Sequence, residues 1–230
     1  MIVKKFILSN FQQNSRVAVC ENTGTAICVD PAIDSPEIAA FIRENGYRLQ
    51  AITLTHGHMD HIGGTKYLSE QFPDAEIMLH SGDEDFYYGL PHQPEMLGMP
   101  PERIAELGLD FPPPPKLTRN WQHGEIYPVG DLRFTVLHSP GHTRGHVILA
   151  EKNHKQVFVG DCLFEGSIGR TDLPGGNFAQ LIDSIRRNIL SLGDDFTVYS
   201  GHGNETTTGR ERQTNPFLTG AQTREQGRYV

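Results

Sequence analysis

The sequence predicts a mixed α/β fold built as one large domain. Three observations carry that prediction. Short apolar or alternating segments with strand character recur along the chain. Segments with helical periodicity and capping residues lie between them, the pattern of layered α and β structure. The strand-like segments fall into two groups, one on each side of a proline-rich stretch at 82–123. With 230 residues, the chain can bury a substantial core. The domain is drawn over 1–220, with a polar, loose tail over 221–230.

The first strand is read at Ile2–Leu8. The segment imitates the start of a signal peptide. Its apolar run is too short for one, and no small-residue cleavage site follows. Strands at Arg16–Glu21 and Thr25–Asp30 come next, joined by a hairpin turn at Asn22-Thr23-Gly24. Asp30-Pro31 stops the third strand. A helix is expected at Pro36–Asn45, capped by Ser35 and ended by Gly46. Ala51–Thr55 is apolar and β-branched, a buried strand. A helix over His61–Gln71 and a short strand at Ile77–His80 complete the first group.

Residues 82–123 carry Pro91, Pro94, Pro100, Pro101 and the run Pro112–Pro115. A short helix is expected around Glu102–Leu107 and an extended backbone along the proline run. The stretch is either a plain connection between two halves or a flap that shapes a substrate pocket. In the second case Tyr87, Tyr88, His92, Met96 and Met99 are candidate walls. Beyond it, Leu132–Leu137 alternates as a strand. His146–Ala150 and Gln156–Val159 form a hairpin around Lys152-Asn153-His154-Lys155. Asn177 caps a helix from Phe178 to about Leu190. Phe196–Ser200 is the last strand expected, followed by a helical segment at Thr206–Gln213 and a close at Asn215–Leu218.

Composition narrows the function. No run of eighteen apolar residues occurs, so no membrane span and no membrane partner are expected. The net charge of −8 argues against nucleic acid as a substrate. The three cysteines, Cys20, Cys28 and Cys162, form no C-x-x-C pair. They read as reduced, with Cys20 and Cys28 in the core, which points to a cytoplasmic protein.

The chemistry concentrates in Thr55-His56-Gly57-His58-Met59-Asp60-His61. This run follows a buried strand and precedes a helix. Residues two apart in extended chain point the same way, so His56 and His58 can reach one ion together. Asp60 and His61 follow the turn and point towards a second. Imidazole and carboxylate ligands suit zinc, iron or manganese.

This H-x-H-x-D-H run resembles the signature of the metallo-β-lactamase superfamily. Four further motifs of that family match in order. They are Asp30 in Ile27-Cys28-Val29-Asp30-Pro31, His142 in Ser139-Pro140-Gly141-His142-Thr143, Asp161 in Val157-Phe158-Val159-Gly160-Asp161, and His202 in Val198-Tyr199-Ser200-Gly201-His202-Gly203. The resemblance covers nearly the whole chain. It implies a four-layer αββα sandwich, with two sheets face to face and helices outside. It further implies that His56, His58 and His142 hold one ion, that Asp60, His61 and His202 hold the other, and that Asp161 bridges. Two divalent ions are therefore expected, zinc first, with iron or manganese as alternatives. Asp60 would orient the nucleophile. Asp30 would accept a hydrogen bond from a ligating imidazole, or else serve as a purely structural strand-end residue. His138 and His146 are read as strand-end residues or as residues behind the ligands.

Within the superfamily, His58 stands where flavodiiron proteins are expected to have Glu. Asp161 stands where many zinc β-lactamases place Cys, which points away from antibiotic hydrolysis. Gly160-Asp161-Cys162-Leu163-Phe164 resembles the G-D-T-L-F of the glyoxalase II group, the hydroxyacylglutathione hydrolases, with Cys162 in place of Thr. Arg170 matches the basic residue those enzymes use for glutathione, although it could instead fix its own loop through Asp172. About 27 residues follow Gly203, too few for the C-terminal domain of the long-type enzymes, so the resemblance is to a short type. It implies hydrolysis of a small glutathione-derived thioester such as S-D-lactoylglutathione to a hydroxy acid and glutathione. Gly169-Arg170-Thr171-Asp172 also resembles persulfide dioxygenases, which supplies the alternative: one Fe(II) held by His56, His142 and Asp161. A metal-binding scaffold without turnover is the third reading.

Overall fold

The computed structural model describes residues 1–33 and 36–221. The expected Ser35 cap and residues 222–230 of the expected tail lie outside them. Strands β1 (Ile2–Leu8), β2 (Gln13–Cys20), β3 (Thr25–Val29), β4 (Arg48–Thr53), β5 (Glu76–Leu79) and β6 (Arg119–Asn120) lie side by side in that order as one sheet. The second half supplies β7 (Ile126–Val129), β8 (Leu132–His138), β9 (Val147–Glu151), β10 (Gln156–Gly160), the small hairpin β11 (Leu163–Phe164) and β12 (Ser167–Ile168), then β13 (Thr197–Ser200) and β14 (Thr206–Thr207). Its main sheet runs β14-β13-β10-β9-β8-β7. Pairing is parallel between β3 and β4, β4 and β5, β5 and β6, and β10 and β13.

The sheets pack face to face because their strands alternate. Ala18, Ile27, Val29, Ala51 and Met78 of the first sheet meet Val129, Phe134, Val136, Leu149 and Phe158 of the second in one buried layer. The opposite face of the first sheet, with Val17, Val19, Cys28 and Ile52, is covered by Ile38 and Ile42 of α1 (Pro36–Glu44) and Leu68 of α3 (Thr65–Gln71). The outer face of the second sheet, with Ile148, Val157 and Val198, is covered by Leu181 and Ile185 along α7 (Phe178–Ser184) and its π-helical continuation. Each such aliphatic side chain contributes about 1.5–3 kcal/mol by leaving water. The result is the four-layer αββα sandwich. No helix among the described residues is long and apolar enough to cross a membrane.

Several local expectations are corrected. The helix expected over His61–Gln71 is two helices, α2 (Met59–Ile62) and α3. Gly63 N still donates to Met59 O at 2.9 Å, but Gly64 N turns out to Pro31 O at 3.0 Å. Strand β2 begins three residues before the expected Arg16, because Gln13, Asn14 and Ser15 are buried and hydrogen-bonded as well. Residues 82–123 are more than a plain connection with one short helix. They contain α4 (Glu84–Tyr88), α5 (Gln93–Met96), the expected short helix α6 (Pro101–Leu107) and edge strand β6. Phe196–Ser200 is not the last strand, since β14 follows and pairs with β13. The expected helical segment at Thr206–Gln213 is α8 (Thr208–Thr214), with α9 (Pro216–Thr219) after it. All three cysteines are free and buried.

Candidate metal centre

All the motif residues lie just beyond strand ends, along one edge of the sandwich. His56 and His58 follow β4, and Asp60 and His61 open α2. His142 sits between β8 and β9, Asp161 follows β10, and His202 follows β13. The pairing of β10 with β13 shifts register between Phe158 and Gly160. Such a bulge re-aims the next side chain, here Asp161. Gly160 has φ +47°, and a Cβ there would lie 2.4 Å from Thr55 Oγ1. At Gly201 a Cβ would lie 2.1 Å from Asp161 Oδ1 and 2.6 Å from His61 Cε1. Only glycine lets the His202 loop come this close.

Two groups of side chains converge. His58 Nδ1 lies 3.1 Å from His56 Nε2 and 3.0 Å from His142 Nε2. His202 Nε2 lies 3.2 Å from Asp60 Oδ2, and His61 Nε2 lies 3.7 Å from the same oxygen. Within each group the nearest ligand atoms lie within 4.8 Å of one another. Asp161 stands between the groups. Its Oδ2 is 3.7 Å from His142 Nε2 and 3.6 Å from His202 Nε2, and its Oδ1 is 3.3 Å from His61 Nε2.

Four of the five outward nitrogens are held from behind, which fixes tautomer and ring orientation; the fifth, His58 Nε2, is buried without a hydrogen-bond partner. His142 Nδ1 donates to Arg170 O at 2.8 Å, and His202 Nδ1 donates to Phe11 O at 3.2 Å. His61 Nδ1 donates to Asp30 Oδ2 at 3.0 Å. His56 Nδ1 lies 3.0 Å from Thr55 Oγ1, whose hydroxyl donates to Asp30 Oδ2 at 2.6 Å. Asp30 thus serves two rings, and it also accepts from Thr55 N at 2.7 Å. It does so from a left-handed backbone, φ 53°, a conformation costing about 1–2 kcal/mol for a non-glycine residue. His146 stands behind Asp161: its Nε2 accepts from Asp161 N at 3.1 Å, and its ring stacks on His56 at 4.9 Å. His138, at the end of β8, donates to Arg144 O at 2.8 Å and stacks on His80.

Electrostatics divides the groups. Burial, reinforced by His61 and His58, holds the His56 imidazole well below the ordinary 6.5. Burial and His142 bring His58 down to about 3. His142 is lowered by burial against the pull of Asp161. These three rings are neutral at pH 7, as metal ligands must be. In the other group burial opposes charge, but Asp161 and Asp60 carry His61 well above its ordinary value and raise His202. The histidines in turn overcome burial and hold Asp60 below, and Asp161 well below, the usual carboxylate range. The carboxylates therefore demand positive charge at this spot. Buried His61 Nε2 and Asp161 Oδ1 make no hydrogen bond of good geometry. Orphaned inward atoms of this donor type fit divalent metal.

The site forms the floor of a cavity of about 490 Å³. Of the five wall residues expected from 82–123, Met96 alone lines it. Phe86, Gln93 and Leu97 are the other walls from that segment. Tyr87 is instead core, and its hydroxyl donates to Pro115 O at 2.9 Å. Met99 packs on the core beneath the first sheet. Arg170 lines the cavity, but its guanidinium makes a two-pronged pair with Asp172, at 2.8 and 2.9 Å.

Sequence reasoning missed three sets of supports. Buried Asp83 accepts from Gly57 N at 3.0 Å, Thr143 Oγ1 at 2.6 Å and Gly145 N at 2.6 Å, tying the His56–His58 loop to the His142 loop. Gln93 Nε2 donates to Gly57 O at 2.7 Å, while its Oε1 accepts from Met59 N at 3.0 Å. Asn14 and Arg16 donate to Ser200 O at 3.1 and 2.6 Å, locking β2 to the strand that leads to His202. The only advance signal was a polar run, Gln13-Asn14-Ser15-Arg16, at the mouth of a buried strand.

Comparisons with known proteins agree with this fold. The family profile described as the metallo-beta-lactamase superfamily matches residues 9–202. Hydroxyacylglutathione hydrolase GloC of Haemophilus influenzae is 37% identical over 210 residues, which take in 90% of this chain and 93% of that protein. Among solved structures, BLEG-1 B3 metallo-beta-lactamase superposes with a TM-score of 0.82 at 31% identity, over 95% of this chain and 100% of that one. TTHA1623 in a di-iron-bound form superposes with a TM-score of 0.80 at 35% identity, over 94% of this chain and 100% of that one.

Proposed function

Because the chain belongs to the metallo-β-lactamase superfamily of metallo-hydrolases, we propose that it hydrolyses thioesters in the manner of glyoxalase II, with a glutathione-derived substrate. The observation that carries this reading is the 37% identity to hydroxyacylglutathione hydrolase GloC across 90% of the chain. The alignment spans 93% of that relative.

His56, His58 and His142 would hold one ion and Asp60, His61 and His202 the other, with Asp161 shared. Two divalent ions there would bring the pKa of a water molecule down to about 7 and polarise the thioester carbonyl. Zinc is the first expectation, and the di-iron form of TTHA1623 supports iron as the alternative. Asp60 reaches the cavity floor, where its carboxylate orients the attacking water and receives its proton. Arg170 O holds the His142 ring square to the site. Arg170 itself stands at the cavity, where its guanidinium can meet a glutathione carboxylate alongside Asp172. Such an exposed pair is worth about 1 kcal/mol or less.

The test uses one purified sample of known metal content. Thioester loss from S-D-lactoylglutathione is followed by absorbance, oxygen uptake with glutathione persulfide by electrode, and β-lactam opening by absorbance. Thioester hydrolysis that persists without oxygen is the expected result. Oxygen uptake with persulfide, or β-lactam opening, in the absence of thioester turnover would overturn the reading.

A further inference from the structure

Among the described residues, few large apolar side chains are exposed. Two of them, Met96 at 66% and Leu97 at 44%, are neighbours in sequence, and both line the cavity above the metal centre. Phe86 continues the same wall, with its ring 5.5 Å from the His58 ring. The wall is fixed to the metal loop. Gln93, in the same short helix as Met96, bonds to Gly57 O, Met59 N and Phe86 O. Neighbouring Pro94 is buried. An apolar surface built this firmly beside the reacting centre loses free energy to water until a ligand covers it. Methionine adapts to ligands of several shapes. Charge on the cavity lining points the same way. Apart from histidines, it consists of Asp60, Asp161 and Arg170, and Arg170 is shared with Asp172.

We propose that Phe86, Met96 and Leu97 form an acyl-group subsite, and that the substrate is a thioester whose acyl group is aliphatic or aromatic. This deepens, and rests on, the thioester reading above. A lactoyl group is short and carries a hydroxyl. It covers little of this wall. A longer hydrocarbon chain covers more of it, and each methylene so buried is worth about 0.8 kcal/mol, close to a fourfold gain.

Two measurements test the subsite. The first is kcat/KM for acyl-glutathiones from acetyl to hexanoyl, with S-D-lactoylglutathione alongside, using the metal-loaded protein. The second is calorimetric binding of S-alkylglutathiones from methyl to hexyl. These thioethers cannot be hydrolysed, so they report the wall independently of turnover. Both series are expected to rise about fourfold per methylene over the first few carbons. The hexyl-to-methyl ratio should fall at least fivefold in each of Met96→Gln and Leu97→Gln, two exposed positions. A flat or falling S-alkyl series, no binding at any chain length, or an unchanged ratio in both variants would overturn the subsite. A rising S-alkyl series without any thioester turnover would leave the subsite standing and overturn the thioester reading instead.

Discussion

Asp83 is the most exposing place to perturb the site without touching a proposed ligand. Its carboxylate is fully buried and accepts three hydrogen bonds, from Gly57 N, Thr143 Oγ1 and Gly145 N. Those donors belong to the loops that carry His58 and His142. Asp83→Ala strands three donors, and a stranded buried group costs about 1–3 kcal/mol. Allowing for rehydration, the loss should be about 3–6 kcal/mol on a total of about 5–15. For a chain of this size that is roughly 6–24 °C in Tm. Asp83→Asn is gentler. The amide oxygen can stay on Gly57 N and Thr143 Oγ1, so only Gly145 N faces an NH2 group, at a cost of about 1–3 kcal/mol. The assay is urea unfolding of metal-free protein, paired with metal content after loading. Both variants should lose metal first from the His56, His58 and His142 group, with Ala worse than Asn. An Asp83→Ala protein within 0.5 kcal/mol of wild type, with unchanged metal content, would refute the reasoning.

Three further outcomes are expected. Asp161→Ala should lower metal occupancy at both groups, because its oxygens face both; full two-metal content by elemental analysis would contradict that. Gly160→Ala should cost about 2–5 kcal/mol, from a positive φ and a Cβ only 2.4 Å from Thr55 Oγ1. A Tm within about 3 °C of wild type would count against that packing. The metal-free protein should lose stability as pH falls from 6.5 towards about 3. Unfolding frees His56, His58 and His142 to take up protons that burial denies them in the fold. His61 and His202, shifted upwards, act in the opposite sense and lose their contribution above 6.5. A Tm that rises steadily on acidification from 6.5 would contradict the assigned shifts of the first three.

The site was legible in the sequence because its chemistry is short-range. His56, His58, Asp60 and His61 declare themselves within six residues, and Asp161 and His202 each follow an apolar strand. The supports were not legible. Asp83 and Gln93 sit in a segment without regular periodicity, where proline masked three short helices. Their partners are backbone groups, and backbone groups leave no mark in a sequence. Gly63-Gly64 read as part of a helix because Ile62 before the pair and Tyr67-Leu68 after it suggested one. The break depends on Pro31 O, which only the fold brings near. Tyr87 read as a pocket wall for want of any sign that its ring belonged under the first sheet.

The arrangement of the two groups has a mechanical consequence. Each takes two residues from the segment that runs from β4 into α2 and one from a loop of the second sheet, His142 or His202. An ion at either position would therefore be a cross-link between the two halves of the sandwich. It would resist sliding of one sheet over the other, together with the apolar layer of Phe134, Phe158 and Met78 and the bonds from Asn14 and Arg16 to Ser200 O. At a hundred times its Kd, an ion adds about 2.7 kcal/mol to the folded state. Here that increment would fall across the seam between the halves. Loosening the seam from within, for example by truncating Phe158, should accordingly be felt at the rim as weaker metal affinity.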